Sequence, residues 1–133
     1  MAALLQFPAP DTIEPMPLPD DQRLDAIART VHEALRGWAA AHGQHDIPPW
    51  DSAPGWMHTS TRESVIHALT HPAPNGRTQH EQWLAQKQRD GWTLGPVKDA
   101  AARTHPLMVA YDDLPDWEQR KDDLINALAN ALA

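Results

Sequence analysis

The chain has 133 residues, the size of one ordinary domain, and carries a formal net charge of −7. It has no cysteine, which excludes disulfides, a cysteine zinc site and a thiol nucleophile. The negative charge and the lack of a long apolar run predict neither a nucleic-acid nor a membrane partner, and we expect a single cytoplasmic domain. Six of its eight aromatic residues are tryptophan.

The first segment is rich in proline. Residues 1–19 hold five prolines, which fix the backbone and remove hydrogen-bond donors. We therefore predict a proline-rich N-terminal arm over residues 1–19 and a single helical domain over residues 20–133.

The first predicted helix is amphipathic, with apolar residues spaced three and four apart. It begins at Asp20 or Asp21, which suit an N-cap, and ends near Gly43. The next segment contains two Pro-rich stretches and is predicted to be a loop, on which Trp50 and Trp56 cover the core.

The second and third helices are each predicted to open with a capping box. Ser60 with Glu63 starts a helix that runs to Leu69, and Thr78 with Glu81 starts the next one.

The third helix is predicted to stop at Gly91. A compact loop follows, with at most a short strand pair near residues 92–97, and residues 97–111 are predicted to be irregular or a short helix. The last helix begins at Pro115 and buries Trp117 in its apolar stripe. The fold is thus predicted to be mainly α, with four main helices and proline-rich connections.

The sequence offers no catalytic or metal-binding motif. His32 and His80 each precede a Glu, but a zinc helix needs a second histidine four residues later, where Arg36 and Leu84 stand. We predict no catalytic residue, no metal ligand, no cofactor and no enzymatic activity. The acidic cluster near the last helix is interpreted as helix capping and a solvated face: Asp112, Asp113, Asp116 and Glu118.

One group of residues does suggest a ligand. His80, Trp83 and Lys87 fall within about 60° of each other on one helix face, and Lys98 follows shortly. They lie in residues 77–105, which carry five basic and three acidic residues in an acidic chain. An aromatic plane with an imidazole and ammonium groups suits a flat ring joined to phosphate. The alternative is that Trp83 belongs to the core and Lys87 reaches water.

The same region resembles the repeat domain of ryanodine receptors. Residues 80–99 carry His-Glu-x-Trp, a lysine four residues later, Gly-Trp-x-x-Gly and a Lys-Asp pair. Residues 104–115 add His-Pro-Leu-Met-Val-x-Tyr and a Leu-Pro before the last helix. Residues 27–56 look like the stand-alone bacterial and phage versions, so the resemblance covers residues 22–130.

The resemblance implies a small non-enzymatic helical module that binds an adenine nucleotide or an ADP-ribose-type signal. In the receptors, two repeats form the nucleotide cleft. Carried over, Trp83 would stack on the ring, His80 would hydrogen-bond, and Lys87 and Lys98 would meet phosphates. The resemblance to prokaryotic members implies one of two roles. The protein would be a sensor of a nucleotide signal, or it would sequester such a signal in phage–host conflict as an anti-defence factor. The alternative is a protein–protein interaction module without a small ligand.

Only one full motif is present, so the second wall of the cleft has two candidate sources. The segment from Ala28 to Leu35 faintly repeats the start of the motif, with Leu35 in place of the tryptophan. This N-terminal pseudo-repeat would contribute His32, Arg36 and Trp38. Alternatively, a homodimer would bring two copies of Trp83 together.

Overall fold

A computed structural model describes residues 17–73 and 75–133, and in these residues the chain is mainly α, as predicted. No helix in this part of the chain is long and apolar enough to span a membrane. Apart from residues 17–19, the predicted arm lies outside the described residues. The four main helices are α1 (Asp21–Ala41), α2 (Gly55–Thr70), α3 (Arg77–Arg89) and α4 (Asp116–Leu132).

Helix α1 has the predicted ends. The side chain of Asp20 accepts a hydrogen bond of 2.8 Å from the Arg23 backbone N–H, which satisfies one of the free donors of the first turn. Gly43 follows the last turn with a φ of +85°, a conformation that glycine adopts without strain.

Helix α2 begins earlier than predicted, at Gly55 instead of Ser60. Pro54 occupies the N-cap position in an extended conformation, and the chain enters the helix directly after it. The predicted capping box at Ser60 is wrong, because its hydroxyl donates to Gln86 Oε1 on α3 at 2.9 Å. Trp56 therefore lies in the first turn of a helix and not on a loop.

Helix α3 is also capped differently from the prediction. It starts at Arg77, whose backbone N–H donates to the Asn75 side chain at 3.0 Å, so Thr78 is already inside the helix. The backbone N–H of Gly76 donates to the Asp123 carboxylate on α4. A Cβ on Gly76 would lie 2.5 Å or less from α4 backbone and side-chain atoms, which explains the glycine at this contact.

A two-stranded sheet follows α3. Strand β1 (Thr93–Leu94) pairs in parallel with β2 (Thr104–His105), so only one strand lies in the predicted window of residues 92–97. The intervening loop turns at Arg103, which has a φ of +55°. The pairing brings His105 next to the end of α3.

The core lies between α1, α2 and α4. Trp50 is part of it, with 5% of its surface exposed, so the prediction that it covers the core from a loop is wrong. It lies in a 3₁₀ helix (Trp50–Ser52), which the sequence analysis interpreted as irregular because of the neighbouring prolines. Trp117 is only partly buried and stacks on His42, with ring centroids 4.8 Å apart. The buried apolar members are Leu24, Ile27, Ala28, Val31, Trp50, Val65, Ala68, Ile125 and Ala129.

Candidate ligand-binding pocket

The described residues form two halves with the same order of helices, and the C-terminal half also contains the small sheet. The N-terminal half has α1, the 3₁₀ helix at Trp50–Ser52 and α2, and the C-terminal half has α3, a 3₁₀ helix at Tyr111–Asp113 and α4. In both halves a proline, Pro54 or Pro115, precedes the second helix. The faint sequence repeat of the first helices thus extends to the segment aromatic-Asp-x-x-Pro-x-Trp, which occurs at residues 50–56 and 111–117.

Equivalent charged residues make equivalent contacts in the two halves. Arg29 pairs with Asp51 at 3.2 Å, and Arg77 pairs with Asp112 at 2.7 Å. Each arginine lies three residues before a histidine, and each aspartate lies in the 3₁₀ helix of the same half. The two halves are therefore a structural repeat.

Both histidines of the repeat hold a loop against a helix. The Nε2 atom of His32 lies 2.8 Å from the Pro48 carbonyl oxygen, and that of His80 lies 2.7 Å from the Val109 carbonyl oxygen. Because a carbonyl oxygen can only accept, each Nε2 carries a proton and donates. The Nδ1 atom of His80 faces Asp122 Oδ2 at 3.7 Å. The Nε2 of His80 is thus engaged by a protein group, while its Nδ1 faces the Asp122 carboxylate beyond hydrogen-bond distance.

A pocket lies between the two halves. The volume that water-sized groups can occupy in this pocket is about 180 Å³. A single water molecule needs about 15 Å³ of such volume, so the pocket can hold a ligand larger than water. Seven pairs of equivalent positions contribute to its lining: Val31 and Gln79, His32 and His80, Leu35 and Trp83, Met57 and Glu118, Ser60 and Lys121, Thr61 and Asp122, and Ser64 and Ile125. One wall is therefore formed by α1 of the same chain.

Two histidine rings pack against Trp83 at the pocket. The His80 ring stacks on it with centroids 5.5 Å apart, and the His105 ring packs against it edge-on at 4.9 Å. The indole of Trp83 therefore has a histidine ring stacked on it and a second one edge-on, and it lines the pocket. Leu35 occupies the equivalent position on α1, so the opposite half supplies no second aromatic plane there.

Lys87 is buried in the pocket wall, with 5% of its surface exposed. Its Nζ lies 4.5 Å from the centre of the Trp56 ring and 4.3 Å from that of Trp92, a cation–π arrangement. No carboxylate of the described residues lies within ion-pair distance of it. Burial, with the nearby charge of Lys98, lowers the pKa of Lys87. The alternative that this side chain reaches water is wrong.

Lys98 and His105 extend the pocket on the side of the small sheet. Lys98 is exposed, and its Nζ lies 3.7 Å from Asp46 Oδ2. It lines the pocket at the edge that faces solvent. His105 was missed by the sequence analysis, because only the pairing of β1 with β2 brings it to the pocket. Burial and three lysines lower its pKa to about 4. The Leu107 N–H donates to its Nδ1, so the proton of the neutral ring lies on Nε2.

Two of the predicted site residues lie elsewhere. Arg36 forms a salt bridge of 2.8 Å with Glu33, and its side chain is 42% exposed. Trp38 donates from its indole nitrogen to the Trp117 carbonyl oxygen. Neither lines the pocket. The N-terminal half thus contributes His32, but not the other two residues proposed for it.

The acidic residues of α4 that line the pocket are buried. Glu118 is 2% exposed, so its assignment to a solvated face is wrong, and its Oε2 accepts from Lys121 Nζ at 2.9 Å. Burial raises the pKa of Asp122 to about 7. The spacing of Glu118 and Asp122 with Ile125 and Ala129 on one helical face is the sequence signal that could have revealed them. In the described residues, no cluster of three or more His, Cys, Asp or Glu is suited to a metal ion.

A comparison with protein families matches this chain to a known domain family. The model described as the RyR domain matches residues 61–130, slightly more than half of the chain. The matched segment runs from within α2 to near the end of α4 and contains Trp83, Lys87 and Lys98. Helix α1 and the first 3₁₀ helix lie before it.

Proposed function

The chain belongs to the RyR domain family, and from this premise we propose that it is a non-enzymatic module that binds a small anionic nucleotide between its two halves. The ligand class is an adenine nucleotide or an ADP-ribose-type signal. Trp83 stacks on the base, and Lys87 and Lys98 contact the phosphates.

The observation that carries the proposal is the buried ammonium group of Lys87 in the same pocket as the indole ring of Trp83. A buried charge is costly without a partner, and the two indole rings offset only part of this cost. A phosphate would supply the missing negative charge, while stacking of a base on an aromatic side chain contributes about 1–3 kcal/mol. A nucleotide combines both groups in one molecule.

The proposal includes no chemical step. His32 and His80 each hold a loop carbonyl oxygen through Nε2, which supports a packing role for the pocket histidines and not a proton-transfer role. We therefore assign a sensor or a sequestering protein, acting in the cytoplasm and, following the resemblance to bacterial and phage versions, in phage–host conflict. Because α1 lines the pocket in the same chain, this function does not require the homodimer.

Isothermal titration calorimetry with ATP, ADP-ribose, cyclic ADP-ribose and cyclic dinucleotides tests the proposal. We expect at least one of them to bind, and Lys87→Met to weaken its affinity at least tenfold and to reduce its dependence on salt. The free variant should be as thermally stable as the parent or more so, because it no longer buries an unpaired charge. This combination separates a ligand contact from a structural role.

Arg36→Met is the matched control, since it also removes a cation but lies outside the pocket. It should leave the affinity unchanged. Failure of every nucleotide to bind at millimolar concentration, or unchanged binding by Lys87→Met, would contradict the proposal. Chromatography of the bound nucleotide should return it intact, and its turnover would contradict the non-enzymatic assignment.

A further inference from the structure

Two residues that line the pocket each have a buried acceptor atom without a hydrogen-bond partner. Gln79 is 1% exposed and Glu118 is 2% exposed, and both line the pocket. In each case one oxygen, Gln79 Oε1 or Glu118 Oε1, is buried without a donor. An unsatisfied buried polar group is costly, so such atoms point to a donor that binds there.

The chemical identity of these atoms is fixed by their neighbours. The Nε2 of Gln79 donates to the Ser64 carbonyl oxygen. Exchanging the amide nitrogen and oxygen would place two acceptors against each other, so Oε1 is the free atom. The other oxygen of Glu118 accepts from Lys121. Both free atoms can therefore only accept, and the ligand must supply the hydrogens.

The position of Gln79 relates these acceptors to the stacking plane. Gln79 lies four residues before Trp83 on α3, so the two side chains share one face of the helix, one turn apart. Both residues line the pocket. Glu118 reaches the same pocket from α4.

Resting on the proposed function, we propose that Gln79 and Glu118 select a base that carries an exocyclic amino group. The amino hydrogens of the base donate to the two free oxygens. A base with a carbonyl oxygen and no amino group, such as hypoxanthine, places an acceptor against these acceptors and is rejected. The lysines hold the phosphates and do not distinguish between the bases.

Calorimetry with ADP, GDP and IDP tests this selection, since only the first two carry an amino group. We expect the better of ADP and GDP to bind at least tenfold more tightly than IDP. Whichever of the two binds better identifies the position of the amino group that is recognised. Equal binding of all three within threefold would overturn the inference and leave the proposed function intact. The inference would also be overturned if the protein bound ADP-ribose or another nucleotide of the first titration but none of these three, whereas failure of all these ligands to bind would refute the proposed function itself.

The variant Glu118→Gln has nearly the same shape and can offer an amide N–H to the carbonyl oxygen of IDP. We expect it to bring the preference for the amino base to within threefold of unity, and Gln79→Met to weaken the preference as a second variant. Glu63→Gln is the matched control, because Glu63 pairs with Arg89 outside the pocket, and it should keep the parent ratio. A ratio between two ligands on the same protein does not depend on the fraction folded. An unchanged ratio in both pocket variants would overturn the inference.

Discussion

In the N-terminal half, α1 and α2 present Val31, Leu35 and Met57 to the pocket, whereas the equivalent positions of α3 and α4 present Gln79, Trp83 and Glu118. The contacts that build the two halves are nevertheless the same. A histidine holds a loop carbonyl oxygen, and an arginine pairs with an aspartate of the 3₁₀ helix. The comparison shows that the contacts that hold each half together are common to both, while most of the groups that could recognise a ligand lie in one half.

The largest expected effect tests the contrast between Asp122 and its equivalent, Thr61. In the folded protein the pKa of Asp122 is raised to about 7 from 3.8, mainly by burial, with His80, Glu118 and Lys121 around it. The folded state therefore favours the protonated form, and the protein loses stability as the pH rises from about 4 to about 7.

Asp122→Asn removes this loss. The substitution changes the free energy of unfolding by a different amount at each pH. We expect this change to be more stabilising at pH 8 than at pH 4, by up to about 4 kcal/mol. Thr61→Val should shift the stability by the same amount at both values of pH. Urea unfolding at each pH measures the difference, and because parent and variant are compared at the same pH, the separate titration of His105 cancels. A pH-independent effect of Asp122→Asn would contradict the account.

The next effect compares Trp83 with Leu35, which occupy equivalent positions. Trp83→Ala should weaken the affinity for ADP-ribose by about 10- to 100-fold, the range expected for loss of one stacking contact. Leu35→Ala removes only part of an aliphatic wall and should change the affinity less than threefold. Calorimetry gives the affinities, and circular dichroism confirms that both variants fold. Equal losses in the two variants would show that the halves contribute equally to binding.

A smaller effect is expected for His32 and His80, which make equivalent hydrogen bonds in the two halves. His32→Phe and His80→Phe each leave a loop carbonyl oxygen without its donor and should cost about 1–2 kcal/mol of stability. The two losses in thermal unfolding should be similar, because the contacts are equivalent. Only His80→Phe should also weaken nucleotide binding, because the lost hydrogen bond to the Val109 carbonyl oxygen no longer positions the ring that packs on Trp83. A loss of affinity with His32→Phe alone would reverse the proposed roles of the halves.

Local patterns in the sequence predicted much of the fold. The N-cap at Asp20, the end of α1 near Gly43 and the start of the last helix at Pro115 depend on neighbouring residues, and the structure agrees with them to within a residue or two. The start of α2 was missed because Ser60 and Glu63 fit a capping box, although Ser60 instead contacts α3.

The candidate pocket was only partly predictable. The spacing of Trp83 and Lys87 on one helix face follows from helical geometry, and the structure places both at the pocket. Glu118 was missed because a charged residue in an acidic cluster is usually solvated, whereas here Lys121 pairs with it in a buried position. His105 depends on a parallel strand pairing that no local pattern specifies.

The most direct test of a pocket between the halves uses the indole N–H signals of the six tryptophans in a proton–nitrogen correlation spectrum. On addition of ADP-ribose, the signals of the three that line the pocket should shift and saturate together: Trp56, Trp83 and Trp92. Those of the three that do not should stay in place: Trp38, Trp50 and Trp117. Shifts confined to the second group, or no shift in any signal at saturating concentration, would contradict the account.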